Sequence, residues 1–200
     1  MDTKRARILL VGLGWSVLCA ACAAPDPGHH AESGEPARTT DASLDPDDPS
    51  ILRRPFTAEQ IREAWAPGLV IDVHRYGPEG DAHERWTVVS ADAEGADIEY
   101  AALDGSGEPT GKADVQRALW VELRDHATFP AASSTVEDTT LDTSLGTLEG
   151  WLYTTRDEEA GTVTELFFAR DLPGAPVEVT MKRGEEVVME MAQISRTPPG

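Results

Sequence analysis

The sequence predicts an α+β domain built on a mostly antiparallel, curved sheet of about eight strands with two short helices. Three observations predict it. From Leu69 onward, runs with strand character recur between clusters of Gly, Pro, Asp and Glu, the rhythm of a meander. Two segments break that rhythm with helical spacing. Both cysteines, Cys19 and Cys22, precede the domain, so a hydrophobic core must hold it without cystines.

The elements follow in chain order. Thr57-Ala58-Glu59-Gln60 has the form of a capping box, and Phe56 and Ile61 are placed as a hydrophobic staple. A helix over 58–65 is therefore expected, closed by Pro67-Gly68, with Ile61, Ala64 and Trp65 on its packed face. Strands are expected over 69–76, 85–91 and 96–103, separated by Gly77-Pro78-Glu79-Gly80 and Ala93-Glu94-Gly95. In the third of these, Ile98, Tyr100 and Ala102 alternate with Asp97, Glu99 and Ala101, which gives one apolar and one wet face. Leu119, Leu123 and Ala127 stand at helical spacing, so 118–127 reads as a second helix ending at Phe129-Pro130. Strands over 134–140, 147–155, 162–169 and 177–182 follow, and a last one over 186–195 pairs back across Arg183-Gly184.

The N-terminus reads differently. A cationic lead from Met1 to Arg7 precedes an apolar run from Ile8 to Leu18, and Cys19 to Ala24 is a cluster of small residues. That order is a secretory signal peptide, and the apolar run is shorter than the ~20 residues of a membrane span. Residues 1–21 are expected to be the signal, 22–52 an acidic, Pro-rich tether, and 53–197 a single globular domain. Gly12-Leu13-Gly14 belongs to the signal, since no strand precedes it and no third glycine follows at Val17.

Cys19-Ala20-Ala21-Cys22 resembles the lipobox of bacterial lipoproteins, Leu-x-[Gly/Ala]-Cys, with Cys19 where Leu is usual. The resemblance implies that Cys22 is lipidated and that the chain is anchored to a membrane of the bacterial envelope. Cleavage after Ala23 without lipidation fits the same cluster and would give a secreted protein. In enteric members of that class an Asp after the lipidated Cys retains the protein in the inner membrane; Ala23 stands there in this chain, which implies outer-membrane delivery.

The chain carries a net charge of −19, and a leader whose Lys4, Arg5 and Arg7 outweigh Asp2 by two leaves −21 once removed. Such a surface repels phosphate backbones and anionic headgroups, so nucleic acid is not an expected partner. Acidity of this kind keeps an exported protein soluble without any partner.

Most motifs that would carry chemistry are incomplete in this chain. Gly105-Ser106-Gly107 reads as a turn, His83-Glu84 has Thr87 where a zinc motif needs its second histidine, and Gly111-Lys112 runs into Ala113. Asp45, Asp47 and Asp48 lack the glycine and glutamate of a calcium loop, since Ser50 and Phe56 stand at those positions. His29-His30 reads as part of a solvated tether. No metal or cofactor is expected. Glu122 and His126, four apart beside Asp125, are the catalytic candidates, against the plainer reading of a solvated helix flank. Trp86, Trp120 and Trp151 are candidates to line a ligand cavity, against the plainer reading of core. The order of a leading helix and a long meander is similar to Lol-type lipoprotein carriers, which implies a sheet cupping an acyl chain under a helical plug. The expected function is a non-enzymatic binding or interaction module of the envelope, with carriage of a lipid or other apolar ligand as the alternative and a secreted hydrolase as the third.

Overall fold

The computed structural model describes residues 44–200. The expected signal peptide, Cys22, and His29-His30 lie outside the described residues. Within them the chain forms α1 (Ala58–Ala64), β1 (Val70–Gly77), β2 (Gly80–Ala91), β3 (Gly95–Leu103), β4 (Pro109–Leu119), α2 (Trp120–Asp125), β5 (Ser134–Thr143), β6 (Gly146–Asp157), β7 (Thr162–Ala169), β8 (Glu178–Arg183) and β9 (Glu186–Thr197). One sheet takes all nine strands in the order β4-β3-β2-β1-β9-β8-β7-β6-β5, and every pairing is antiparallel. Two meanders are thus sewn together where the last strand meets the first. Between them α2 carries the chain from one open edge to the other and lies against α1.

Local chemistry sets the boundaries. Thr57 Oγ1 accepts from the Gln60 amide at 3.2 Å, and Gln60 Oε1 accepts from the Thr57 amide at 2.8 Å, the reciprocal capping expected of this sequence. Gly77 pairs with Gly80 and Arg183 with Glu186, so Pro78-Glu79 and Gly184-Glu185 are two-residue hairpin turns. Four register shifts, in the β1–β9, β2–β3, β3–β4 and β8–β9 pairs, interrupt the ladders, and such bulges bend the strands that carry them.

Three expectations need correction. The sheet has nine strands where eight were expected, and the additional one is β4. Its sequence is mostly polar, contains Gly111, and leaves Val115 53% exposed, so backbone pairing to β3 rather than apolar burial holds it at the edge. The second helix is shorter than 118–127, since Ala118 and Leu119 still pair with β3. The packed body also starts before residue 53: Leu52 and Ile51 are buried, Leu52 N donates to Phe129 O at 2.8 Å, and Asp45 binds Arg54 at 2.8 Å. Composition places this stretch in the tether, yet Ile51 and Leu52 find the core.

Cross-strand partners share a face, so register sorts the side chains. The inner face, toward the helices, carries Ile71, Val73, Trp86, Val88, Ile98, Tyr153, Leu166, Phe168 and Val179. Over its β6–β7 half, Phe56 and Phe129 descend from the covering segments. Phe129 stacks on Tyr153 at 4.7 Å, and Phe168 meets the edges of Phe56, Phe129 and Tyr153 at 6.3, 6.3 and 5.5 Å. The Tyr153 hydroxyl donates to Arg53 O at 2.6 Å, and burial pushes it well above its ordinary pKa. On the outer face Leu141, Leu148, Leu152 and Phe167 form a second cluster, joined by Leu145 and Leu172.

The seam between the meanders has its own polar fastening. Arg85 grips Asp72 through Nε and an Nη at 2.7 and 2.9 Å, and Ser195 Oγ adds a third bond at 3.1 Å, tying β2, β1 and β9 together. The Arg85 hydrogen bonds hold the Asp72 carboxyl below the usual carboxylate range. Buried Gln193 donates to the carbonyls of Ala175 and Pro176 at 3.3 and 3.0 Å, which fixes the β7–β8 connection against β9.

Candidate functional site

A groove of about 530 Å³ opens where α1, the β2–β3 turn and the start of α2 meet. Ala58, Glu59 and Arg62 form one wall, Ala93 and Glu94 the other, and Leu119, Trp120 and Val121 the rest of the lining. The turn is built by Asp92, whose Oδ1 accepts from the amides of Glu94 and Gly95 at 2.8 and 3.0 Å and from Arg117 at 2.6 Å. Those amide bonds, with Arg117 behind them, hold the Asp92 carboxyl below its ordinary range. Trp120 is buried and doubly tied to this turn: its indole Nε1 donates to Asp92 O and its amide to Glu94 O, both at 3.0 Å. Val121, the next residue, is 49% exposed. The lining combines the apolar surface of Ala58, Ala93, Leu119, Trp120 and Val121 with the charged side chains of Glu59, Glu94 and Arg62.

The sequence candidates fall in different places. Trp86 is buried on the inner face, edge-on to Tyr100 at 6.0 Å, with its Nε1 donating to Glu84 at 3.3 Å. Trp151 lies edge-on to Phe56 at 5.8 Å, with the Arg170 guanidinium 4.6 Å above its ring. Only Trp120, of the three, lines the groove. Glu122 and His126 are exposed on the flank of α2. Glu122 is oriented back toward the Leu119 amide at 3.4 Å, and partial desolvation of the His126 ring lowers its pKa against the opposing pull of Glu122 and Asp125. Neither residue lines the groove.

The inner face is filled by the chain's own aromatic residues around Phe168, while its β8–β9 part carries Met181, Met189 and Met191, all half-buried. Met181 and Met189 are cross-strand partners, and Met191 is opposite Val179. Sequence reasoning passed over this trio because the run 186–195 has no clean alternation. The groove was equally hidden, since its walls are more than 25 residues apart in the chain. Among the described residues no helix is long and apolar enough to cross a membrane.

No family model and no curated protein matches the sequence. Solved structures that overlap with it include MucB in complex with MucA(peri), at 11% identity and a TM-score of 0.48 over 70% of this chain and 54% of that one. The Pseudomonas aeruginosa MucA/MucB complex overlaps at 13% identity and a TM-score of 0.46, over 70% and 54% of the two chains. A protein with a YmcC-like fold from Bacteroides fragilis overlaps at 8% identity and a TM-score of 0.39, over 66% and 98%. The chain spans about half the length of the MucB structures it matches. Likeness at this level carries no conclusion about what the chain binds.

Proposed function

We propose that this chain is an exported protein of the bacterial envelope, anchored through a lipid on Cys22, whose domain acts without catalysis by binding another envelope protein at the α1–α2 groove. The observation that carries the binding assignment is the contrast between the two apolar regions. The inner face over β6 and β7 is closed by Phe56, Phe129 and Phe168, whereas the groove stands open with Val121 beside buried Trp120. The signal segment and the Cys19-Ala20-Ala21-Cys22 cluster support the address. Carriage of an apolar ligand is the second reading, and the half-buried methionine trio favours it, because thioether side chains adapt to varied apolar shapes.

Metabolic labelling with a fatty acid, in cells making wild type or Cys22→Ser, tests the address. Label on the wild type alone, with that chain in the membrane fraction and the variant released, is the expected result. A wild-type chain that takes up no label replaces the anchor with simple secretion.

A further inference from the structure

On the outer face of the sheet, the β1–β2 hairpin sets two imidazoles side by side. His74 and His83 are direct cross-strand partners, and their rings stand 4.7 Å apart between centroids at an angle of 31°. The turn dictates this: His74 lies three residues before Gly77 and His83 three after Gly80, so the Gly77–Gly80 register makes them face each other. Asp81, on the same strand and face as His83, places Oδ1 3.4 Å from His74 Nε2. His83 is exposed and His74 is at the edge of exposure.

We propose that His74, His83 and Asp81 form a surface site for a divalent transition-metal ion of borderline softness, Zn²⁺, Ni²⁺ or Cu²⁺. Two neutral imidazole nitrogens and one carboxylate oxygen are the donors such ions take, at ~2.0–2.2 Å. Oxygen-seeking Mg²⁺ and Ca²⁺ find one carboxylate in this set and are not its cations. Among the described residues no three such side chains already converge on a metal-sized point. Binding therefore turns the exposed rings about their side-chain torsions while the strand register stays fixed. Two nitrogens on one ion lie about 3–4 Å apart, a spacing that rings on paired strands reach. The setting favours a cation: Glu190 is on the same face opposite Tyr76, and the Arg85 charge nearby is already held by Asp72. The site is separate from the groove and does not depend on the function proposed for it.

The test uses the full chain without a polyhistidine tag, with Cys19 and Cys22 changed to serine and His29 and His30 to alanine, so that the N-terminal residues contribute neither thiol nor imidazole. Zn²⁺ is titrated calorimetrically, and Cu²⁺ is followed by electron paramagnetic resonance. One equivalent of Zn²⁺ and Cu²⁺ coupling to two imidazole nitrogens are expected. His74→Ala and His83→Ala should each weaken binding about tenfold or more, Asp81→Asn less, and His126→Ala not at all. Cu²⁺-induced broadening of the His74 and His83 ring resonances reads the same site without altering either residue. Affinity that survives both histidine substitutions, broadening confined to other residues, or no saturable binding overturns the proposal.

Discussion

Gly174→Ala is expected to lower stability by about 3 kcal/mol or more, seen as a fall in Tm of roughly 6–12 °C for a domain of this size. Gly174 has φ +120°, and a Cβ built there would stand 2.1 Å from Trp65 Nε1 and 2.6 Å from Cε2. Trp65 has nowhere to go. It is buried at the end of α1, and its Nε1 donates to Pro173 O at 2.8 Å, one residue from the added methyl. The substitution thus adds backbone strain, a steric overlap and the loss of a buried hydrogen bond at one point. Gly184→Ala is the comparison: its φ is +61° but nothing lies within 4 Å of the new Cβ, so only the left-handed backbone cost of about 1 kcal/mol applies. Thermal unfolding of both variants checks the difference. Equal losses would mean that the β7–β8 connection does not lock α1.

Phe168→Ala should cost about 3–5 kcal/mol, the range for deleting a buried phenylalanine that neighbours cannot replace. Phe168 is the ring around which Phe56, Phe129 and Tyr153 are arranged, and those three come from different elements. Removing it opens a cavity and takes away one of the sheet rings on which Phe56 and Phe129 pack, leaving Trp151 and Tyr153 to hold them. Val121→Ala, on the exposed groove lining, should stay within about 0.5 kcal/mol of wild type. Urea unfolding measures both, and a small loss at Phe168 would show that the cover is not what stabilises the inner face.

Much of the architecture was legible because turn chemistry and capping are local. Thr57 to Gln60 spelled out α1, and the Gly77-Pro78-Glu79-Gly80 and Arg183-Gly184 signals marked hairpins the structure contains. What failed to show in the sequence depends on partners far away in it. β4 exists because β3 offers it a ladder, and Pro109 to Leu119 carries no apolar pattern that would reveal this. Ile51 and Leu52 look like strays in a polar stretch until Phe129 and Pro130 are brought to them. The candidate site follows the same division. Trp120 stands out in the sequence, but Ala58 and Glu59 reach it only through the α1–α2 packing, and Ala93 and Glu94 only through the β3–β4 pairing that sets Gly95 opposite Leu119. The His74–His83 pair shows in the sequence only as a symmetry about the Gly77–Gly80 turn, which no motif contiguous in the chain carries.

Whether the sheet holds a ligand is decided most directly by the mass of the Cys22→Ser chain, isolated from cells and measured under native conditions without detergent. The substitution removes the anchor, so any lipid that remains must be cargo. A domain that acts at its surface, with Phe56, Phe129 and Phe168 filling the inner face, gives the mass of the polypeptide alone. A near-stoichiometric extra mass equal to one lipid would contradict that account and make the methionine trio the floor of a carrier site.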